Sequence, residues 1–272
     1  MLDKITYTNH LNEKIVFGEY PYYAEYSDLR DYVWKYTESN NRILAFRKKI
    51  RKYKLPVVIM CKTEEEGYQK RNALFEIMEK DVLAGKYGTL QIGDYKLQCY
   101  VAESEKDDFL YSKKHMTVKL SIVTDKPYWL KETTFRFRNN TNSSEFLDYP
   151  HDYPHDFMNS LALKNFINTN FTASNFKIII YGAAENPQLT INSHVYGVET
   201  VLVANETLTI DSFAKTIEQV SVAGTRYNKF NNRNKDSYIF EKIAAGNCAV
   251  LPSEKFDFDI IIYEERGEPK WT

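Results

Sequence analysis

The chain has 272 residues, with 36 Lys and Arg against 37 Asp and Glu, and its formal net charge is −1. This length suits two domains, and the charge balance excludes a polybasic DNA-coating protein or an acidic disordered tail as a description of the whole chain. Aromatic residues make up 15%, whereas the 10 Gly and 8 Pro are too few for a collagen-like or low-complexity chain.

A long hairpin is predicted over residues 32–52. Residues 15–17 indicate a short strand before it. Tyr32, Trp34 and Tyr36 then recur with the period of a strand and share one face. The turn-forming residues Glu38-Ser39-Asn40-Asn41 follow, and residues 42–52 return as the second strand.

The aromatic face of this hairpin has two interpretations. It is either ordinary core or a subunit contact. A projecting hairpin is not easily covered by its own small domain, and Tyr and Trp are enriched among interface anchors. The candidate oligomer interface consists of Tyr32, Trp34, Tyr36, Ile43 and Phe46.

The return strand is strongly basic. Residues 42–54 hold seven Lys and Arg and no acid, with Phe46 and Tyr53 interleaved. One hypothesis is nucleic-acid binding, with cations on phosphates and rings for stacking. The other is a charged arm whose cations keep an exposed edge soluble or contact an acidic partner. The near-neutral chain favours the second hypothesis.

One helix is predicted in the first half. Thr63 and Glu66 have the spacing of a capping box, Leu74, Ile77, Met78 and Val82 share a face, and Gly85 is the expected end. Further on, a two-residue Gly93-Asp94 turn predicts a hairpin between residues 90–92 and 95–99. Residues 116–122 alternate as a half-buried strand, and residues 125–129 close this unit.

Residues 131–157 indicate a linker between a first domain, 1–130, and a second domain, 158–272. The linker contains a tandem repeat, Asp148-Tyr149-Pro150-His151 and Asp152-Tyr153-Pro154-His155. His151, His155, Asp152 and Asp156 carry the residue types of a metal site. The alternative is a proline-stiffened linker, in which polyproline II geometry sets the histidines ~12 Å apart, too far for one ion to bridge easily. This distance favours the linker, so no metal ligand is assigned.

The second half predicts an all-β sandwich. Short strands recur at fairly regular intervals, and none of the residues after 158 suggests a helix. In residues 257–263, Phe258, Ile260 and Ile262 share one face while Asp257 and Asp259 point away.

The sequence also bears on catalysis, membrane insertion and the redox compartment. The motifs of nucleotide-binding, metalloprotease and serine-hydrolase sites are absent. No apolar run is long enough to span a membrane. The first five residues carry charges where a signal peptide would need an apolar run. Cys61, Cys99 and Cys248 are odd in number and lie in strand-like runs, which suits reduced core residues of a chain that folds in a reducing cytoplasm.

The order of these elements resembles the distal tail (Dit) family of long-tailed, siphovirus-type phages. The first half contributes the hairpin, the capped helix and Asp125-Lys126-Pro127-Tyr128-Trp129. The residues of the second half that carry the resemblance are Gly182 with Asn186-Pro187, Leu189, Ile191 and Asn192, the strand Leu208-Thr209-Ile210-Asp211, Phe230-Asn231-Asn232, Tyr263-Glu264-Glu265-Arg266 and Trp271.

The resemblance implies a structural virion protein at the tail tip. Six N-terminal domains would form a ring, with galectin-like or carbohydrate-binding-module-like C-terminal sandwiches projecting from it. The ring would join the tail tube to the tail-associated hub protein and to receptor-binding proteins, and genomic DNA would pass through its lumen without specific binding. The hairpin would embrace the neighbouring protomer. No cofactor is implied.

A different class of function is a carbohydrate-binding adhesin that acts through the C-terminal sandwich. Galectin-like folds host both roles, and sugar sites need exposed aromatic faces. Trp271 occupies a position better suited to docking the end of the chain. The candidate sugar contacts are Tyr227, Phe230 and Asn231.

Overall fold

The computed structural model describes residues 4–107, 113–138 and 163–271, and within them the fold is mainly β with one α-helix, as the sequence predicts. The chain divides into two compact units, Met1–Lys131 with Glu265–Thr272, and Glu132–Glu264. Residues 265–272, which the sequence places with the second domain, therefore lie with the first unit. The tandem repeat and its two histidines lie outside the described residues.

The first unit contains two antiparallel sheets that share one strand. Its elements are β1 (Ile5–Thr8), β2 (Lys14–Phe17), β3 (Tyr22–Ala24), β4 (Lys35–Ser39), β5 (Arg42–Arg47), β6 (Arg51–Met60), α1 (Glu64–Ala84), β7 (Gly88–Ile92), β8 (Tyr95–Asp107), β9 (His115–Thr124) and the start of β10 (Trp129–Phe137). One sheet has the order β2-β1-β7-β8, and the other β3-β6-β9-β8. Because β8 pairs first with β7 and then with β9, apolar side chains of both sheets enclose one core, which includes Tyr7, Leu55, Leu97 and Trp129.

The helix α1 follows the sequence signals at both ends. Thr63 Oγ1 accepts a hydrogen bond from the backbone N–H of Glu66 at 3.2 Å, and Gly85 ends the helix with a φ of 60°. Leu74 and Met78 are buried as predicted, but the prediction for Val82 is wrong. Asp81 takes the buried position instead, because its carboxylate accepts hydrogen bonds from β1 and the turn after it, and Val82 stays 45% exposed.

The hairpin of β7 and β8 is confirmed, with Gly93 at a φ of 56° in the two-residue turn. The predicted strand at residues 116–122 is confirmed within β9. Residues 125–129 lie at the end of the first stretch of the first unit, which runs to Lys131, and β10 begins at Trp129 and continues to Phe137 in the second unit. Phe135 and Phe137 pack against the core of the second unit, so this part of the predicted linker is a strand.

The second unit has two larger antiparallel sheets and a two-stranded one around its own core. Its remaining elements are β11 (Lys164–Asn168), β12 (Phe176–Tyr181), β13 (Ala184–Glu185), β14 (Gln188–Ile191), β15 (His194–Gly197), β16 (Val201–Leu202), β17 (Thr207–Asp211), β18 (Thr216–Val220), β19 (Arg226–Asn228), a 3₁₀ turn at Phe230–Asn232, β20 (Gly246–Pro252) and β21 (Asp257–Arg266). The larger sheets have the orders β19-β18-β17-β12-β21 and β11-β20-β14-β15, and the two-stranded sheet is β13-β16. Phe258, Ile260 and Ile262 are buried as the alternation predicts, but Asp259 is buried too, held by Arg138 and Tyr181.

The thiols of Cys61, Cys99 and Cys248 are free and buried, which confirms their assignment to the core. Burial raises the pKa of Cys99 to about 12. No helix in the described part of the chain is long and apolar enough to cross a membrane. Among the described residues, no three His, Cys, Asp or Glu side chains come together as a potential metal site.

Candidate assembly surface

The arm, defined here as residues 35–47, is a hairpin of β4 and β5. Asn40 and Asn41 form its two-residue turn with φ values of 49° and 59°. Two consecutive left-handed residues match the twist of the flanking strands, and Asn tolerates this conformation better than most residues. The local sequence therefore fixes where the arm reverses.

Both strands of the arm are exposed over their whole length. Leu44 and Phe46 are 65% and 60% exposed, and Ile43 is also uncovered. A two-stranded hairpin without packing is marginally stable in water, and clustered exposed apolar side chains mark interaction sites. The arm therefore has the properties of a contact surface that a partner covers.

A cross-strand ring pair organises one face of the arm. Tyr36 lies opposite Phe46 in the register, and their ring centroids are 6.5 Å apart at an interplanar angle of 67°. An edge-to-face pair of this kind contributes about 1 kcal/mol beyond area burial. Trp34 and Phe46 line a hollow of about 300 Å³ next to this pair. Both the ring pair and the hollow are therefore available to a partner.

Lys48 fixes the base of the arm to its own unit. Its Nζ donates to the carbonyl oxygen of Pro127 at 2.9 Å and lies 4.1 Å from the centroid of the Tyr128 ring and 5.0 Å from that of Trp34. Burial is the main cause that lowers the pKa of this amine to about 8, against the opposing effect of Glu265. The arm therefore leaves a defined point of the fold.

The five residues of the predicted oligomer interface are all exposed, but they do not form one strand face. Tyr32 and Trp34 precede β4, and Tyr32 packs against Gly267. The prediction of strand alternation from residue 32 is wrong because contacts with the C-terminal segment and with Lys48 hold these rings outside the ladder. Residues 42–52 are likewise not one strand, since β5 ends at Arg47 and the inward turn of Lys48 separates it from β6.

The seven cations of residues 42–54 lie in different environments. Lys48 is partly buried, Lys52 forms an ion pair with Glu103, and the Arg51 guanidinium lies 4.8 Å from the centroid of the Tyr53 ring. Cations engaged within the fold are not presented together to a phosphate backbone. Of these seven cations, Arg42 and Arg47 lie on the arm itself and are exposed.

Sequence reasoning missed Leu44, Val33 and the anchor at Lys48. Leu44 and Val33 are exposed apolar residues that extend the arm surface. Both can be identified from the sequence, because apolar residues that do not alternate with polar ones on a projecting hairpin have no core to pack into. Lys48 has no such signal, because its partners Pro127 and Tyr128 are about 80 residues away along the chain.

The candidate sugar contacts lie in the second unit. Tyr227 in β19 and Asn231 in the 3₁₀ turn are exposed. Phe230 already packs at 6.0 Å against the Phe240 ring, and the Arg233 guanidinium lies 4.3 Å from its ring centroid. A separate hollow of about 380 Å³ is lined by Asn186, Gln188, Gly197, Val198, Glu199 and Asn234. None of the three predicted residues lines this hollow.

Solved structures of phage proteins share the fold of this chain. No family model matches the chain, and no curated protein matches its sequence. The Dit protein of phage SPP1, a paradigm of the hub adsorption apparatus in phages that infect Gram-positive bacteria, aligns with a TM-score of 0.60 and 10% identity, over 96% of this chain and 99% of that chain.

Two phage P2 baseplate structures in the activated conformation also match. A chain of the calcium form has a TM-score of 0.62 and 11% identity, and one of the strontium form has 0.63 and 12%. Each alignment covers 99% of this chain and 100% of the other. The resemblance drawn from the order of the sequence motifs is therefore confirmed as a shared fold over nearly the whole chain.

Proposed function

We propose that the chain is a structural protein of a phage tail tip, where six copies close a ring that joins the tail tube to the tail-associated hub and to receptor-binding proteins. The observation that carries this proposal is the fold shared, over almost the whole length, with SPP1 Dit and with the phage P2 baseplate chains. The proposed role needs no catalytic chemistry, and genomic DNA would pass through the ring without specific contacts.

The uncovered arm supports the assembly part of this proposal. A head-to-tail contact between identical copies uses two different patches, and it closes a ring when the rotation per copy divides a full turn. The arm supplies one such patch, with the exposed Tyr36–Phe46 pair, Leu44 and the adjoining hollow. Burying this apolar surface in a neighbour is the proposed driving force of ring formation.

The test replaces Phe46 by Asp and follows self-association of the full-length protein by native mass spectrometry. Phe46 is exposed and loses only its ring pair with Tyr36, so the substitution lowers the unfolding free energy by at most about 1 kcal/mol, while a buried unpaired carboxylate weakens the assembly at least tenfold. Tyr227→Asp, a similar substitution of an exposed ring in the second unit, is the matched control and leaves assembly unchanged. Equal assembly of both variants and the wild type would contradict the role given to the arm.

A second candidate function, glycan binding by the second unit, is favoured by the polar hollow at Asn186. Side-chain amides of Asn186, Gln188 and Asn234 and the carboxylate of Glu199 line this hollow, and such groups suit sugar hydroxyls as donors and acceptors. A glycan array with the full-length protein and Gln188→Ala tests it. Selective hits that disappear in the variant support this function, whereas no hits, or hits unaffected by the variant, contradict binding at this hollow.

A further inference from the structure

We propose that the arm of one copy docks in a groove between α1 and β8 of a second copy, an inference that rests on the proposed ring. The groove has a volume of about 250 Å³. It is lined by Phe75, Met78, Glu79 and Val82 of α1 and by Val101, Ala102, Glu103 and Ser104 of β8.

Five of the eight residues that line the groove are apolar, and they come from both α1 and β8. The pairing of β8 with β9 shifts register between Val101 and Glu103, so Ala102 is a bulge residue that re-aims this part of the strand. The groove is lined by Met78 and Val101, which are buried, and by Val82, which is 45% exposed. Methionine adapts easily to an incoming side chain, so the recess suits an apolar ring such as that of Phe46.

The charges of the two surfaces are complementary. The arm carries Lys35, Arg42 and Arg47 against a single acid, Glu38. The groove contains Glu79, which has no hydrogen-bond or ion-pair partner among the described residues, and Glu103, which is paired with Lys52. Exposed Glu76 and Glu105 lie on the same two elements. The nearby cations are Lys106, 5.7 Å from the centroid of the Phe75 ring, and Lys52 and Lys54, which interact with Glu103. Opposite charges around an apolar contact steer association and fix its register.

The arm and the groove belong to different elements of the first unit. The arm connects β3 to β6, whereas the groove lies along β8, and the sheet order is β3-β6-β9-β8. Both strands of the arm are exposed over their whole length and none of their residues lines the groove, so the occupant of the groove is the arm of a second copy. Two distinct patches on one subunit are what a head-to-tail ring contact requires.

The experiment places a photo-cross-linker on the arm of the full-length protein. Phe46 is replaced by p-benzoylphenylalanine, and the variant is mixed with ¹⁵N-labelled wild type before irradiation. Mass spectrometry then identifies peptides joined between a labelled and an unlabelled copy. The same cross-linker at Phe171, a ring that is 95% exposed in the second unit, measures random collisions. We expect cross-links from position 46 to peptides containing residues 75–82 or 101–104.

Substitutions in and beside the groove test whether the cross-links from position 46 depend on it. Val82→Arg reduces these cross-links at least about tenfold, because an unpaired charge enters the apolar contact. Leu83→Arg, the neighbouring residue that does not line the groove, leaves them unchanged. Cross-links to another surface of a second copy would overturn the groove assignment and leave the arm as an assembly contact. Cross-links no more frequent than those from position 171 would overturn both.

Discussion

Among single residues, Lys48 shows how a long-range contact defines the arm. Its amine is held between the Pro127 carbonyl and the rings of Tyr128 and Trp34, and its burial lowers its pKa to about 8. Burying a charged amine costs free energy, and the adjacent carbonyl and ring faces offset part of this cost. The residue therefore links the arm, residues 126–129 and the C-terminal segment in one place.

Lys48 gives a prediction about pH. Its pKa is about 8 in the fold and 10.5 for an ordinary lysine, so the unfolded chain binds more protons between these values. The free energy of unfolding contributed by this group therefore rises as pH increases from about 8 toward 10. We expect ¹⁵N-resolved NMR to show Lys48 Nζ titrating near pH 8, and Lys48→Met to lose this pH-dependent gain in urea unfolding. Titration near 10.5 would contradict the burial of the amine.

Asp81 gives a prediction about stability. Its buried carboxylate accepts hydrogen bonds from the Tyr7 hydroxyl at 2.5 Å and the His10 backbone N–H at 2.8 Å. Burial and the hydrogen bond to Asp81 raise the pKa of Tyr7. Asp81→Asn loses the charge-assisted bonds and puts an NH2 group in place of one of the two accepting oxygens, so urea unfolding is expected to show a loss of about 3 kcal/mol. Asp94→Asn, which removes an exposed ion pair with Lys131, is the control and costs at most about 1 kcal/mol. Equal losses would contradict the buried network.

At the scale of elements, local signals predicted the helix and the turns well. The cap at Thr63, the left-handed Gly85 and the Gly93 turn depend on neighbouring residues, so the sequence specifies them directly. The start of β4 and the break after β5 depend on contacts with Gly267 and Pro127, which no local pattern contains. For the same reason the burial of Asp81 in place of Val82 was not predictable.

The turn of the arm gives a prediction at this scale. Asn41 has a φ of 59°, which a β-branched residue adopts only with strain. Asn41→Val therefore disrupts the hairpin, while the rest of the first unit, which the exposed arm does not support, keeps its melting temperature. We expect weaker self-association of this variant in native mass spectrometry. Asn41→Gly, which accepts the same backbone conformation, retains assembly, and loss of assembly in both variants would argue against the turn as the cause.

At the scale of the whole molecule, the sequence indicated the class of protein but not where its surfaces lie. The order of hairpin, helix and strands carried the resemblance to the Dit family, and the shared fold with SPP1 Dit and the phage P2 baseplate chains agrees with it. The candidate contact residues follow from aromatic residues that recur with the period of a strand on a hairpin that the sequence predicts. The groove between α1 and β8 was not, since a register shift and two elements distant in sequence create it.

The symmetry of the assembled protein tests the central claim most directly. Purified full-length protein at high concentration, lightly cross-linked and imaged by negative-stain electron microscopy, is expected to show rings of six copies. The rings disappear in Phe46→Asp and persist in Tyr227→Asp. Rings of another symmetry, equal numbers of rings in both variants, or single copies throughout would contradict the proposal of an arm-mediated hexameric ring.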